Sequence, residues 1–83
     1  MSQTRLQPTH PGEILQEELE ERGISLSQLS RDTHVPIARV RLLLRSQRPM
    51  TPDVALRLER YLGASAQFWM NLQVALDLHQ AQQ

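Results

Sequence analysis

The sequence contains no cysteine, no lysine, few aromatic residues and no long apolar run. Without cysteine, the chain has neither disulfides nor a cysteine-ligated zinc site. The apolar runs stop at three residues, as at Leu42–Leu44, whereas a membrane helix needs roughly 20. The first residues are polar, with no apolar stretch of the kind found in a signal peptide. We therefore expect a cytoplasmic protein.

The length of 83 residues predicts one domain over residues 1–83, too small to build a deep catalytic cleft beside its core. No nucleophile lies beside a base in the sequence, so we expect no enzyme activity and no cofactor. The three histidines, at positions 10, 34 and 79, are far apart, and we expect no metal site. His10 is expected instead to cap or dock the first helix.

Charge is unevenly distributed along a chain whose formal net charge is zero. Residues 1–35 carry three arginines against six acids, and residues 36–60 carry six arginines against two acids. The acids of the first predicted helix, among them Glu17 and Glu21, are expected to form a solvated face; a docking patch for a basic protein is the alternative. The basic middle segment favours a surface for nucleic acid, because the guanidinium fork suits phosphates and guanine edges.

Helix signals recur along the chain, and the sequence predicts an all-α fold with five helices after an irregular arm over residues 1–10. Pro11 and Gly12 begin the first helix, and Gly23 ends it. Ser25, Thr51 and Ser65 are expected as N-caps of the second, fourth and fifth helices. The fourth helix ends at Gly63, and the fifth covers residues 65–80.

The second and third helices form a predicted helix-turn-helix over residues 25–45, because only His34–Pro36 separates them. Val40, Leu43 and Leu44 share one face of the third helix, which is expected to pack inward. The other side is free of acids and is expected to enter the major groove. The residues predicted there to read bases are Ala38, Arg39, Arg41, Leu42 and Arg45. A merely solvated basic face is the alternative.

Three motifs carry a family resemblance: His10–Leu15 (HPGEIL), the segments Arg48–Thr51 (RPMT) and Ala55–Leu58 (ALRL), and Phe68–Gln73 (FWMNLQ). With their spacing, residues 10–78 resemble the HigA antitoxins, a branch of the Xre-type helix-turn-helix proteins. The resemblance implies a five-helix, lambda-repressor-like domain that forms a homodimer. It also implies binding to an inverted-repeat operator and neutralisation of HigB, a RelE-like ribonuclease toxin.

The sequence departs from the wider Xre pattern at three positions. Leu26 stands where a phosphate-bracing glutamine is common, and His34 and Ser46 stand where glycine is common. The departures bear on the phosphate contacts more than on the fold. The residues expected to contact phosphates are Ser25, Gln28, Gln47, Arg48 and Thr51.

The fifth helix has more apolar residues than one core-facing stripe needs, and the surplus predicts a dimer interface. We expect Trp69, Leu72 and Leu76 in that interface, and Asn71 as a structural hydrogen bonder at a helix packing site. A two-fold dimer would set its recognition helices about 34 Å apart, one turn of DNA. A broad helix used by a single core is the alternative.

The sequence leaves three functions open. The first is an operator-binding repressor that also neutralises a toxin. The second is a stand-alone Xre regulator without a toxin, and the third is a toxin inhibitor that no longer binds DNA. Salt-dependent operator binding separates the first from the third, and the neighbouring reading frame separates the first from the second.

Overall fold

A computed structural model describes residues 8–83, which contain five α-helices and no strand. The helices are α1 (Pro11–Arg22), α2 (Leu26–Thr33), α3 (Ile37–Leu44), α4 (Pro52–Leu62) and α5 (Ala66–Ala81). The predicted all-α, five-helix class is thereby confirmed. Most of the arm expected over residues 1–10 lies outside the described residues. None of the described helices has the length and apolarity required to cross a bilayer.

The helix boundaries follow local capping chemistry. The hydroxyl oxygens of Ser25, Thr51 and Ser65 each accept a hydrogen bond from the backbone N–H three residues later. Gly23 and Gly63 end α1 and α4 in the left-handed conformation that glycine adopts at low cost. These five predicted caps are confirmed.

Leucine-rich faces of the helices meet around one aromatic residue, Trp69 of α5, which has no exposed surface. The side chains buried with it are Leu15, Leu19, Leu29, Val35, Val40, Leu43, Met50, Val54, Ala55, Leu58 and Leu62. Two arginines donate hydrogen bonds to the ends of neighbouring helices. Arg22 donates to the carbonyl of Leu62 at 2.9 Å, and Arg57 donates to the carbonyl of Thr33 at 2.7 Å.

α1 approaches the C-terminal end of α3 very closely at Gly12. A Cβ at this position would lie 1.9 Å from the carbonyl oxygen of Leu43. Only glycine fits there, so Gly12 sets the distance between α1 and the predicted recognition helix.

The turn between α2 and α3 is held by backbone and side-chain contacts. His34 takes a positive φ of 62°, and the hydroxyl of Ser30 donates to the carbonyl of Val35 at 2.6 Å.

Ser46 takes a positive φ of 60° just after α3, as His34 does just after α2. The N–H of Ser46 donates to the carbonyl of Leu43, and the N–H of Gln47 donates to that of Leu42. Both residues with positive φ, His34 and Ser46, thus take a left-handed backbone conformation, which costs them more than it would cost glycine.

Candidate DNA-binding surface

α3 presents one face to the core and the opposite face to solvent. Val40 and Leu43 are buried, whereas Ala38, Arg41 and Arg45 are exposed. Ile37 is 38% exposed on the same side as Arg41. The exposed face therefore combines two guanidinium groups with two apolar residues, a combination that can contact guanine edges and thymine methyl groups.

On one flank, this face borders an open depression of about 260 Å³ between α3 and the beginning of α2. The residues that line it include Arg41, Arg45 and Leu26, and none of them is acidic. Leu26 is half-buried and packs against the core. The position of the phosphate-bracing glutamine is thus an apolar packing contact in this chain.

On the other flank, Arg39 is half-buried, and its Nη2 donates to Oγ1 of Thr51 at 3.1 Å. Leu42 is also half-buried. The sequence expectation names both among the base-reading residues, with Arg39 at the flank, and that role stays a prediction for both. The periodicity of one helix could not reveal that the beginning of α4 packs beside this flank and engages the guanidinium group.

The residues expected at phosphates lie at two helix N-termini and in the α3–α4 loop, which we define as residues 45–51. Gln28, Gln47 and Arg48 are exposed. The hydroxyl oxygens of Ser25 and Thr51 accept the capping bonds of α2 and α4, which leaves each O–H able to donate to an anion. Helix N-termini attract anions through their free N–H groups and dipole. Contact with phosphate remains a prediction for all five residues.

A buried polar side chain that the sequence prediction missed anchors the α3–α4 loop. Gln73 of α5 is 5% exposed, and its Oε1 accepts from the backbone N–H of Met50 at 2.8 Å. Its Nε2 donates to Oδ1 of Asp77 at 2.8 Å. The spacing of Gln73 in the sequence indicates that it is buried, because it stands four residues after Trp69 and three before Leu76, within the buried stripe of α5.

His10 caps α1, as the sequence predicts. Its Nδ1 accepts from the N–H of Gly12 at 2.8 Å, so this nitrogen carries no proton. Burial lowers the pKa of His10, while a hydrogen bond with the Arg48 backbone and the charges of Glu13 and Asp77 oppose that change. The imidazole therefore lies where α1 begins, beside the loop that follows α3.

α5 differs from its sequence prediction. Trp69 has no exposed surface and Leu76 is only 6% exposed within the single chain, so a second subunit cannot cover them. This corrects two of the three residues expected in the dimer interface; Leu72 is half-buried. The large apolar side chains that α5 does expose are Phe68, Val74 and Leu78.

Asn71 also differs from expectation. It is exposed, and its Oδ1 accepts from Nε2 of Gln67 within α5, so it does not join two helices. The buried hydrogen bonder of this helix is Gln73, two residues later.

The charged side chains of α1 are solvated or paired. Glu13, Glu17, Glu20 and Glu21 of α1 are exposed, and Glu18 pairs with Arg22 at 2.9 Å. Residues 8–83 contain no group of three or more side chains that could hold a metal ion. The phenol of Tyr61 donates to Asp32 at 2.6 Å, which raises the pKa of Tyr61.

No protein-family model matches the chain, but individual proteins do. It is 49% identical over 75 residues to virulence-associated protein I of Dichelobacter nodosus, across 89% of this chain and 69% of that protein. The structure of the Pseudomonas aeruginosa antitoxin HigA with the higBA promoter matches with a TM-score of 0.86 and 47% identity, covering 90% of this chain and 83% of that one. An addiction module antidote protein of the HigA family from Coxiella burnetii matches with a TM-score of 0.85 and 43% identity, over 92% and 84%. The chain therefore belongs to the HigA family of helix-turn-helix antitoxins.

Proposed function

We propose that this protein is the antitoxin of a type II toxin–antitoxin module and represses transcription by binding operator DNA as a dimer. The observation that carries the proposal is the exposed, acid-free face of α3, bordered by the N-terminus of α2 on one flank and that of α4 on the other. This arrangement lets one helix enter the major groove while its neighbours contact the backbone.

Base reading is assigned to Arg41 and Arg45, with Ala38 and Ile37 as apolar contacts. Each arginine can donate two hydrogen bonds to O6 and N7 of a guanine. Arg39 has a further role in the proposal: through Thr51 it holds the beginning of α4 beside the recognition helix.

Phosphate contacts are assigned to the beginning of α2 and to the α3–α4 loop with the first turn of α4. Ser25 and Gln28 form the first group, and Gln47, Arg48 and Thr51 form the second. Such contacts fix the position of the protein along the duplex but carry no sequence information. The P. aeruginosa HigA structure with its promoter supports DNA as the partner. Operator DNA is in the bacterial cytoplasm, where we place the protein.

The dimer is proposed to form through the exposed face of α5, where Val74 and Leu78 offer apolar surface and Phe68 adds more at the flank. A second copy of this chain would cover that surface by two-fold symmetry and bring two α3 helices to one side of the DNA. An inverted-repeat operator follows from this symmetry.

The toxin is proposed to be a RelE-like ribonuclease of the HigB type, on the strength of the family. Co-expression of the product of the neighbouring reading frame tests this partner. A toxic product that this protein neutralises in a stable complex supports the antitoxin function. A neighbour without toxicity, together with intact operator binding, would support the stand-alone regulator instead.

Operator binding is tested by titrating the protein on its own upstream DNA at several salt concentrations, with a scrambled duplex as control. Six to eight phosphate contacts per dimer predict a slope of log K against log salt of roughly −5 to −7, because each contact releases counterions. A flat salt response contradicts the DNA-binding proposal. Toxin neutralisation with that flat response would identify the protein as an inhibitor without DNA binding.

A further inference from the structure

The α3–α4 loop is anchored at its beginning by α3 and near its end by α5. Ser46 and Gln47 donate backbone bonds to the last turn of α3. At the other end, the side chain of Met50 is buried and its N–H donates to Gln73. Of the phosphate candidates in the loop, Gln47 is held by its own backbone bond to Leu42, and Arg48 lies between the two anchors.

The stretch between the anchors is not packed tightly against α5. An open cleft of about 220 Å³ separates it from the helix, and its lining includes Arg48, Gln73, Asp77 and Gln80. Two hydrogen bonds hold this stretch beside the cleft: one between His10 and the Arg48 backbone, and one from the Met50 N–H to Gln73. Gln73 is itself held, since its amide nitrogen donates to Asp77 one turn later.

We propose that Gln73 is a positioning residue for DNA binding: from α5, it holds the α3–α4 loop so that Gln47 and Arg48 meet phosphates. The inference rests on the proposed function, because it assigns a role in operator binding. It also implies that α5 has two roles. Its buried face fixes the α3–α4 loop, and its exposed face contacts a second subunit.

The test compares Gln73→Met, which keeps the side-chain length and removes the acceptor, with wild type. The matched control is Gln80→Met, the same change on the same helix at an exposed residue that lines the same cleft. We expect Gln73→Met to bind the operator at least tenfold more weakly. The slope of log K against log salt should become shallower by about one per subunit, as for a lost phosphate contact, while base preference stays unchanged. Gln80→Met should match wild type.

A rescue variant and a direct measurement complete the test. Gln73→Glu combined with Asp77→Asn keeps an oxygen for the Met50 N–H and reverses the second hydrogen bond, so it should recover the wild-type salt slope. In wild type, the Met50 amide should exchange with solvent as slowly as core amides. Fast exchange of this amide overturns the proposal even if Gln73→Met does not fold.

The outcomes separate this inference from the function on which it rests. Wild-type protein that does not bind its operator overturns the proposed function and the inference together. Wild type that binds, with folded Gln73→Met keeping the same affinity and salt slope, overturns the inference alone. A lower melting temperature with an unchanged slope also overturns it, because that result identifies a merely structural role.

Discussion

His10 gives α1 a cap that depends on pH. Its Nδ1 must be unprotonated to accept from the N–H of Gly12, and burial lowers its pKa in the folded protein. The unfolded chain therefore binds more protons than the folded one between the lowered pKa and the ordinary value of 6.5. The stabilising contribution is present above pH 6.5 and is lost as the pH falls through the folded pKa.

The pH prediction is measured by urea unfolding of wild type and His10→Asn at pH 7.5 and pH 5.5. Asparagine also caps helices but does not titrate in this range. We expect wild type to lose more unfolding free energy than the variant between the two values, since both proteins keep His34, His79 and all carboxylates. Equal losses would show that the cap does not sense pH.

Gly12 tests the close approach between α1 and α3. Gly12→Ala places a methyl group against the Leu43 carbonyl, and we expect a loss of about 1–3 kcal/mol from overpacking. For a domain of this size, each kcal/mol lowers the melting temperature by about 4–8 °C. The change should also weaken operator binding, because the obstructed backbone belongs to the predicted recognition helix.

The control for Gly12→Ala is Gly23→Ala. A Cβ at Gly23 meets nothing within 4 Å, so that variant carries only the strain of a positive φ. It should destabilise the protein and leave operator affinity unchanged well below its melting temperature. Wild-type stability of Gly12→Ala would refute the close contact at Leu43.

At the scale of elements, helix boundaries could be predicted because caps are local. Ser25, Thr51 and Ser65 bond to N–H groups three residues away, a distance at which the sequence alone is informative. Pro52 at the first position of α4 adds a backbone preference of the same local kind.

The contacts that shape the site join residues far apart in sequence and could not be predicted in this way. Gln73 hydrogen-bonds to Met50, which stands 23 positions earlier in the sequence. Gly12 lies beside Leu43 only because α1 packs against α3. A helical wheel likewise showed that α5 has surplus apolar residues but not which of them the core would take. The side chain of Trp69 is buried among core residues of the other helices, whereas that of Phe68 beside it is exposed.

The exposed face of α3 is predicted to read bases, and the α3–α4 loop is predicted to contact phosphates. Arg41→Ala should cost about 1–3 kcal/mol on the cognate site and relax the preference at one base pair per half-site. Arg48→Ala should weaken binding to cognate and random DNA alike and make the salt slope shallower by about one per subunit. The reason is that a guanine edge carries sequence information and a phosphate does not.

Selection from a randomised operator distinguishes the two arginines. Both side chains are exposed, so both variants should keep the wild-type melting temperature. Arg41→Ala with lower affinity and an unchanged base preference would make Arg41 a phosphate contact. Base reading would then fall to Arg45, Ala38 and Ile37 on the same face.

At the scale of the whole molecule, the exposed apolar side chains of α5 predict the assembly. Leu78 is 59% exposed and Val74 is 49% exposed on one face of this helix. Leu78→Glu would place a charge in the subunit interface, where a buried and unpaired carboxylate is costly. In a lone subunit the same carboxylate would stay in water, so the variant should remain folded, with stability within about 0.5 kcal/mol of wild type.

Sedimentation equilibrium should therefore show Leu78→Glu as a folded monomer that binds the full operator much more weakly than wild type. The matched control is Leu56→Glu, which charges a leucine 51% exposed on α4 and should leave the dimer intact. The loss of operator affinity should exceed the change at an isolated half-site, because a monomer cannot engage both halves of an inverted repeat with one binding event. An intact dimer of Leu78→Glu would exclude this face of α5 as the interface and would require the two α3 helices to be brought together by another surface.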